Sequence, residues 1–236
     1  MLKDIQAVIV DLDGTMVDTL GDFELALNRM LLDFSCAKVD RAFIEATVGK
    51  GSEHLIHTTL AHVQNLRQKQ PIAVTEFAQS AINLVAYDAA WQSYQSHYLA
   101  CNGQASKVYA GVMAGLQALQ SRGLRMACLT NKPLAFAKPL LKAKGLDGFF
   151  SHVFGGDSFE KRKPDPLPLL KTCEALGTLP QHTLMIGDSC NDAQAAHAAG
   201  CPVVLMTYGY NHGQDIRNTP AFAHVNSMEK ISKLVG

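Results

Sequence analysis

Short apolar runs alternate with longer helical patterns along the C-terminal half of the chain. Residues 124–129, 183–186 and 203–206 predict buried strands, because they are largely apolar and of strand length. Helical patterns fill the intervals, among them residues 167–176 and 192–199, with glycine or proline at most boundaries. Alternating strands and helices predict a parallel sheet that is covered by helices on both faces.

The N-terminal part of the chain has a different pattern. A buried strand is predicted at residues 7–10. Apolar residues then keep helical i, i+3, i+4 spacing over 20–31 and again over 77–98, where Tyr94 and Tyr98 are expected in the core. Two glycines near residue 50 and a polar stretch at 64–70 interrupt this block. The segment is therefore expected to form a helical insertion.

The length of 236 residues exceeds one average domain and falls short of two. We therefore predict an α/β fold with two parts. Residues 1–17 and 105–236 form a Rossmann-like core with a parallel sheet, and residues 18–104 form an inserted α-helical domain.

Composition excludes several classes of protein. Hydrophobic residues make up 47% of the chain, which is too many for an intrinsically disordered protein. Twenty-one basic residues balance 21 acidic ones, so we expect no nucleic acid and no membrane as partner. The six cysteines form no CxxC pair, which argues against structural zinc and is typical of reduced thiols in a cytoplasmic protein.

The strand predicted at residues 7–10 runs directly into Asp11-Leu12-Asp13-Gly14-Thr15. In a parallel α/β sheet, ligands bind beyond the carboxyl ends of the strands, which is where this loop is expected. Two carboxylates one residue apart can hold a divalent cation, or act as a nucleophile and an acid–base pair. A plain polar turn is the alternative, because Asp and Gly favour turns.

Polar residues also stand at the ends of other predicted elements. Thr130 follows the strand at 124–129, Asp188 follows the strand at 183–186, and Lys163 stands before a helix. Each residue alone has a structural explanation, such as a helix cap or a solvated charge. Because the carboxyl ends of parallel strands meet at one edge, their combination predicts a single catalytic pocket.

With these motifs the chain resembles the haloacid dehalogenase superfamily of aspartyl-phosphate hydrolases over essentially its whole length. The pentapeptide at 11–15 is similar to the first motif, Thr130 to the second, Lys163 to the third, and Asp188 with Asp192 to the fourth. A helical cap inserted after the first motif also belongs to that superfamily.

A narrower resemblance is to the phosphoglycolate phosphatase family. It rests on residues 48–51, 129–133, 155–157, 187–202 and 207–211. This resemblance implies an enzyme that converts 2-phosphoglycolate to glycolate and phosphate. The partner is then a small phosphorylated metabolite, and we expect a monomer or a homodimer.

The superfamily resemblance implies a role for each acidic residue. Asp11 is the nucleophile that forms an aspartyl-phosphate, and Asp13 protonates the leaving alkoxide and then activates water. Asp11, Asp188 and the backbone carbonyl of Asp13 are the expected ligands of Mg²⁺, which prefers oxygen. Asp192 either orients these ligands without holding the ion or is simply an acid in the first turn of a helix.

Five further residues are expected to bind or position the substrate. Thr130 and the backbone of Asn131 donate hydrogen bonds to the phosphoryl oxygens. Lys163 neutralises developing charge and holds Asp11 in place, while Gly14 permits close approach of the phosphate. Lys50, between two glycines of the cap, is expected to contact the substrate; a solvated loop lysine is the alternative.

Other functions share the same core residues. A phosphatase for another small phosphate, such as a sugar phosphate, would differ only in its cap contacts. A phosphonate hydrolase with Lys50 as a Schiff base and a sugar phosphomutase are less favoured, and a carbon–halogen hydrolase would not need Asp13. A binding protein on an inactive scaffold is disfavoured, because the catalytic set is complete.

Overall fold

The computed structural model describes residues 1–68 and 87–236. The part of the predicted helical pattern at residues 77–86 lies outside the described residues. In the described ranges, no helix is both long and apolar enough to cross a membrane.

A parallel six-stranded sheet forms the centre of the fold, as the α/β prediction required. The order across the sheet is fifth, fourth, first, sixth, seventh and eighth strand in chain order, and a separate antiparallel pair joins the second and third. The strands are β1 (Ala7–Val10), β2 (Val17–Asp18), β3 (Lys107–Val108), β4 (Arg125–Leu129), β5 (His152–Phe154), β6 (Thr183–Gly187), β7 (Val203–Met206) and β8 (Ala223–Val225).

Helices precede, separate and cover these strands. In the described part of the chain they are α1 (Leu20–Asp33), α2 (Arg41–Thr47), α3 (Ser52–Gln68), α4 (Tyr87–Cys101), α5 (Val112–Ser121), α6 (Leu134–Ala143), α7 (Leu167–Leu176) and α8 (Cys190–Ala199).

Both faces of the sheet are buried. Val8 and Val10 of β1 belong to one apolar cluster, while Ala7 and Ile9 belong to another. Successive side chains of a strand point to opposite faces, so β1 has an apolar layer on each side. This explains why its sequence is a continuous apolar run rather than an alternating one.

A third apolar cluster lies among helices α1 to α4. It contains Leu27 and Met30 of α1 and the fully buried Tyr94 and Tyr98 of α4, which confirms the expectation that these tyrosines are core residues. Phe136 of α6 joins the same cluster and packs its ring against Tyr98. The division into a core and a cap at residues 17 and 105 stays a prediction.

Two local predictions are wrong. The polar stretch at 64–70 does not interrupt the helical block where it is described, because α3 continues to Gln68. Buried Val63 packs this part of α3 against the helical cluster, while the polar residues Gln64 and Asn65 stay exposed. Helix α8 begins at Cys190 rather than at Asp192, because Ser189 and Asp192 form a reciprocal capping box.

Candidate active site

The central strands bring the predicted motif residues to one edge of the sheet. Val10 at the end of β1 is paired with Cys128 of β4 and with Ile186 of β6. The residues that follow these strands therefore emerge side by side. Asp11, Asp13, Thr130, Asn131, Lys163, Asp188 and Asp192 all line one pocket.

Lys163 is the cationic centre of the pocket. Its Nζ donates to Asp11 Oδ1 at 2.7 Å, to Asp192 Oδ1 at 2.7 Å and to the carbonyl oxygen of Leu129 at 2.8 Å. Burial opposes its charge, but Asp11 and Asp192 outweigh that effect and raise the pKa of Lys163. Lys163 is therefore a permanent cation with all three N–H groups engaged.

Asp192 is bound on both carboxylate oxygens. Oδ1 accepts the hydrogen bond from Lys163, and Oδ2 accepts one from Ser189 Oγ at 2.7 Å. The backbone N–H groups of Asp188 and Ser189 also donate to Oδ2. This arrangement suits the orienting role expected of Asp192, since it fixes Lys163 and the start of α8 together.

Asp188 is held by the loops on either side of it. Thr15 Oγ1 donates to Oδ1 at 2.7 Å, and the backbone N–H of Tyr210 donates to Oδ2 at 2.6 Å. Gly14 has a φ of +83°, and a Cβ at this position would collide with Asp188 Oδ2. Gly14 therefore makes room for Asp188; its expected contact with phosphate stays a prediction.

The carboxylates of this pocket fit a hard divalent cation. Ligand oxygens of Asp11, Asp188 and Asp192 all lie within 4.8 Å of one another, and the three residues are buried. Burial raises the pKa of Asp11 to about 7 and also raises the pKa of Asp188 well above its usual range. Burial makes the ionised forms of these carboxylates unfavourable, and a cation bound between Asp11 and Asp188 would stabilise those forms. An all-oxygen donor set suits Mg²⁺.

The raised pKa of buried Asp11 predicts how the stability of the fold depends on pH and on bound metal. The Asp11 pKa rises from 3.8 to about 7 on folding, so the folded protein holds this proton more tightly than the unfolded chain. The free energy of unfolding is therefore highest below pH 3.8 and decreases as pH rises through about 7. With chelator, the unfolding midpoint should therefore fall between about pH 5 and pH 8. Added Mg²⁺ should raise the midpoint more at the higher pH, where a proton no longer occupies Asp11. An equal Mg²⁺ shift at both pH values in scanning calorimetry would contradict this account.

Lys132 is a site residue to which the sequence analysis assigned no role. Its Nζ donates to Asp13 Oδ1 at 2.8 Å and to Oδ2 at 2.9 Å, and its side chain is only 2% exposed. The same Nζ lies 4.4 Å from the ring centre of Phe23 and 4.8 Å from that of Tyr98. The available signal was its place directly after Thr130 and Asn131 at the end of a strand.

Asn131 joins three segments around the pocket. Its Oδ1 accepts a hydrogen bond from the backbone N–H of Lys163 at 3.0 Å, and its Nδ2 donates to the Lys163 carbonyl at 2.8 Å. Nδ2 also donates to the Gly49 carbonyl at 3.1 Å, which Asn191 Nδ2 contacts as well at 3.2 Å. The glycine loop between α2 and α3 is thereby tied to the pocket. Thr130 Oγ1 accepts from the backbone N–H of Lys132.

Lys50 does not line the pocket that contains Asp11, although Gly49 and Gly51 on either side of it do. Lys50 instead lines a neighbouring cavity, which Lys163 and Arg162 line as well. The Lys50 side chain is exposed. Its contact with substrate stays a prediction.

Comparison with known proteins identifies the family. The model of the haloacid dehalogenase-like hydrolases matches residues 5–200. The phosphoglycolate phosphatase of Thiobacillus denitrificans is 39% identical over 231 residues, which are 98% of this chain and 96% of that protein. The phosphoglycolate phosphatase of Nitrosospira multiformis is 38% identical over 238 residues, again 98% of this chain and 96% of that protein.

A solved structure is similar to this chain over most of its length. It is described as a predicted phosphoglycolate phosphatase from Haemophilus somnus, and it is 30% identical with a TM-score of 0.88. The match covers 98% of both chains. The predicted enzyme class, a phosphoric monoester hydrolase similar to phosphoglycolate phosphatases, is confirmed by these comparisons. The chain belongs to the haloacid dehalogenase-like hydrolases.

Proposed function

We propose that this enzyme is a Mg²⁺-dependent phosphatase that converts 2-phosphoglycolate to glycolate and phosphate through an aspartyl-phosphate on Asp11. The observation that carries this proposal is the pairing of two aspartates with two buried lysines in one pocket. Asp11 is bound by Lys163, and Asp13 is bound by Lys132. The relatives named phosphoglycolate phosphatase support the choice of substrate.

In the first step, a carboxylate oxygen of Asp11 forms a bond to phosphorus as the phosphorus–oxygen bond of the ester breaks. Lys163 fixes the other oxygen of Asp11 and neutralises part of the phosphoryl charge. Asp13 gives its proton to the departing alkoxide. The products of this step are glycolate and the aspartyl-phosphate.

In the second step, Asp13 takes a proton from a water molecule, and the water oxygen bonds to phosphorus. The acyl-phosphate bond breaks, which releases phosphate and restores the Asp11 carboxylate. Mg²⁺ held by Asp11 and Asp188, with the Asp13 carbonyl as a further ligand, would supply positive charge that offsets the phosphoryl oxygens. Thr130 and the backbone of Asn131 would donate to the same oxygens.

The placement of the motifs in chain order also supports a core of residues 1–17 and 105–236 with a cap of 18–104. Helices α1 and α4 of the proposed cap contribute Phe23 and Tyr98 beside the pocket. Such a cap would exclude water from the reacting phosphate. We also propose a cytoplasmic location, where buried thiols such as Cys128 and Cys173 stay reduced.

Phosphate release from a panel of small phosphomonoesters tests this proposal. We expect kcat/KM for 2-phosphoglycolate to exceed that for each sugar phosphate by at least about tenfold, equivalent to about 1.4 kcal/mol. Excess chelator should abolish turnover, and Mg²⁺ should restore it. A sugar phosphate as the best substrate would refute the assigned substrate, and full activity after exhaustive chelation would refute the metal requirement.

A further inference from the structure

We propose that Lys132 binds a carboxylate on the substrate's leaving group and that this exchange releases Asp13 for proton transfer. The inference rests on the proposed function and deepens it. It defines the preferred substrate class as phosphomonoesters whose leaving group carries a carboxylate next to the ester carbon.

Among the described residues, few buried cations face this pocket. Within residues 1–68 and 87–236, Lys132 and Lys163 are the lysines that line it, and both are buried. Lys163 uses its three N–H groups on Asp11, Asp192 and the Leu129 carbonyl. Lys163 is therefore committed to the phosphoryl end, and Lys132 is the cation that can change partner.

The short length of 2-phosphoglycolate limits where a cation can bind its carboxylate. Asp13 acts on the ester oxygen in the proposed mechanism, and in 2-phosphoglycolate a single methylene separates that oxygen from the carboxylate. A cation that binds the carboxylate must therefore lie close to Asp13. Lys132 Nζ lies 2.8 Å from Asp13 Oδ1, whereas Lys50 lines a different cavity.

The buried charge of Lys132 needs an anionic partner throughout the exchange. A buried ammonium loses much stability when it has no anionic partner. Replacing the Asp13 carboxylate by a substrate carboxylate keeps Lys132 paired. The rings of Phe23 and Tyr98 lie within 4.4 Å and 4.8 Å of Nζ, so they continue to stabilise the cation during the exchange. An uncharged leaving group cannot replace Asp13 as the partner of Lys132.

The present pairing also explains why the exchange would matter for catalysis. Lys132 occupies both carboxylate oxygens of Asp13, at 2.8 and 2.9 Å. An acid–base group needs one oxygen free to reach the leaving oxygen. A carboxylated substrate would free Asp13 by binding Lys132 in its place, whereas a neutral ester would leave the pair intact.

Lys132→Met tests the inference with 2-phosphoglycolate and ethyl phosphate, which differ in the carboxylate. The variant-to-wild-type ratio for each substrate cancels their different intrinsic reactivity. We expect kcat/KM for 2-phosphoglycolate to fall roughly a hundredfold, with a rise in KM, because one partner of a buried charge pair is removed. Turnover of ethyl phosphate should not fall and should rise by up to about tenfold, because Asp13 then has both carboxylate oxygens free for proton transfer and no charge pair with substrate is lost. Lys161→Met, at an exposed lysine, is the matched control and should change neither value.

Equal losses on both substrates would overturn the inference and leave Lys132 as a residue that only positions Asp13. A loss confined to 2-phosphoglycolate in Lys50→Ala but absent in Lys132→Met would overturn it as well. Should Lys132→Met fail to fold, Lys132→Arg retains the cation and should retain the preference for the carboxylated substrate. A folded Lys132→Arg enzyme without that preference would count against the inference.

The wild-type enzyme separates this inference from the proposed function. If another carboxylated phosphomonoester is the best substrate and its turnover still depends on Lys132, the assigned substrate is wrong and the inference stands. If 2-phosphoglycolate is the best substrate but Lys132→Met lowers kcat/KM equally for both test substrates, the assigned substrate stands and the inference about Lys132 is wrong. Equal wild-type turnover of ethyl phosphate and 2-phosphoglycolate would overturn the inference without any variant.

Discussion

Replacing Asp11 with asparagine is expected to lower kcat by roughly four to six orders of magnitude, the loss typical of removing a nucleophile. An amide cannot attack phosphorus, so no aspartyl-phosphate forms. The fold should survive, because Lys163 keeps its bonds to Asp192 and to the Leu129 carbonyl. The measurement is phosphate release from 2-phosphoglycolate by a preparation free of contaminating phosphatases.

Asp147→Asn is the matched control, since it makes the same chemical change at an exposed aspartate outside the pocket. Its kcat should equal that of the wild type. An Asp11→Asn enzyme that keeps more than about a tenth of wild-type kcat would show that Asp11 is not the nucleophile.

Asp13→Asn is expected to have the second largest effect. Loss of the general acid and base should lower kcat by roughly a hundred- to ten-thousandfold. The second step needs Asp13 to activate water, so a variant that still forms the aspartyl-phosphate should accumulate it. A normal steady-state rate in this variant would exclude Asp13 from proton transfer.

The control for Asp13→Asn is a substrate with a better leaving group. An aryl phosphate needs less protonation of its departing oxygen, so its first step should be impaired less than that of 2-phosphoglycolate. Equal impairment of the first step for both esters in rapid-quench measurements would argue that Asp13 is needed for folding or binding rather than for proton transfer.

The elements with local signals were predicted well. Helix α7 spans Leu167–Leu176, and β7 spans Val203–Met206, both with the predicted bounds. Each is a clear apolar pattern between turn residues. The pair of β2 and β3 was not predicted, because Val17 pairs with Val108 across the whole helical insertion and neither two-residue strand has a periodicity of its own.

In the candidate site, too, the features set by strand ends could be predicted, whereas those set by long-range contacts could not. The register of β1, β4 and β6 follows from the fold class, so the meeting of Asp11, Thr130 and Asp188 could be expected from strand ends alone. The burial of Lys132 could not, because it depends on Phe23 and Tyr98 arriving from two distant helices. A lysine considered alone is expected at the surface.

Lys50 illustrates the limit of a loop prediction. Flanking glycines correctly indicated a break between two helices, and their backbone lines the pocket. Which way the intervening side chain points depends on long-range contacts. The Gly49 carbonyl is held by Asn131 and Asn191, and the Lys50 side chain lines the cavity beyond.

The most direct test of the account is the identity of the phosphorylated residue during turnover. Asp13→Asn enzyme with Mg²⁺ would be mixed with 2-phosphoglycolate labelled in its phosphoryl group, quenched in acid and digested for peptide mass analysis. We expect an acid-stable, hydroxylamine-sensitive phosphoryl label on Asp11, and none when Asp11→Asn is added to the same variant. Label on any other residue would contradict the central claim that Asp11 is the nucleophile.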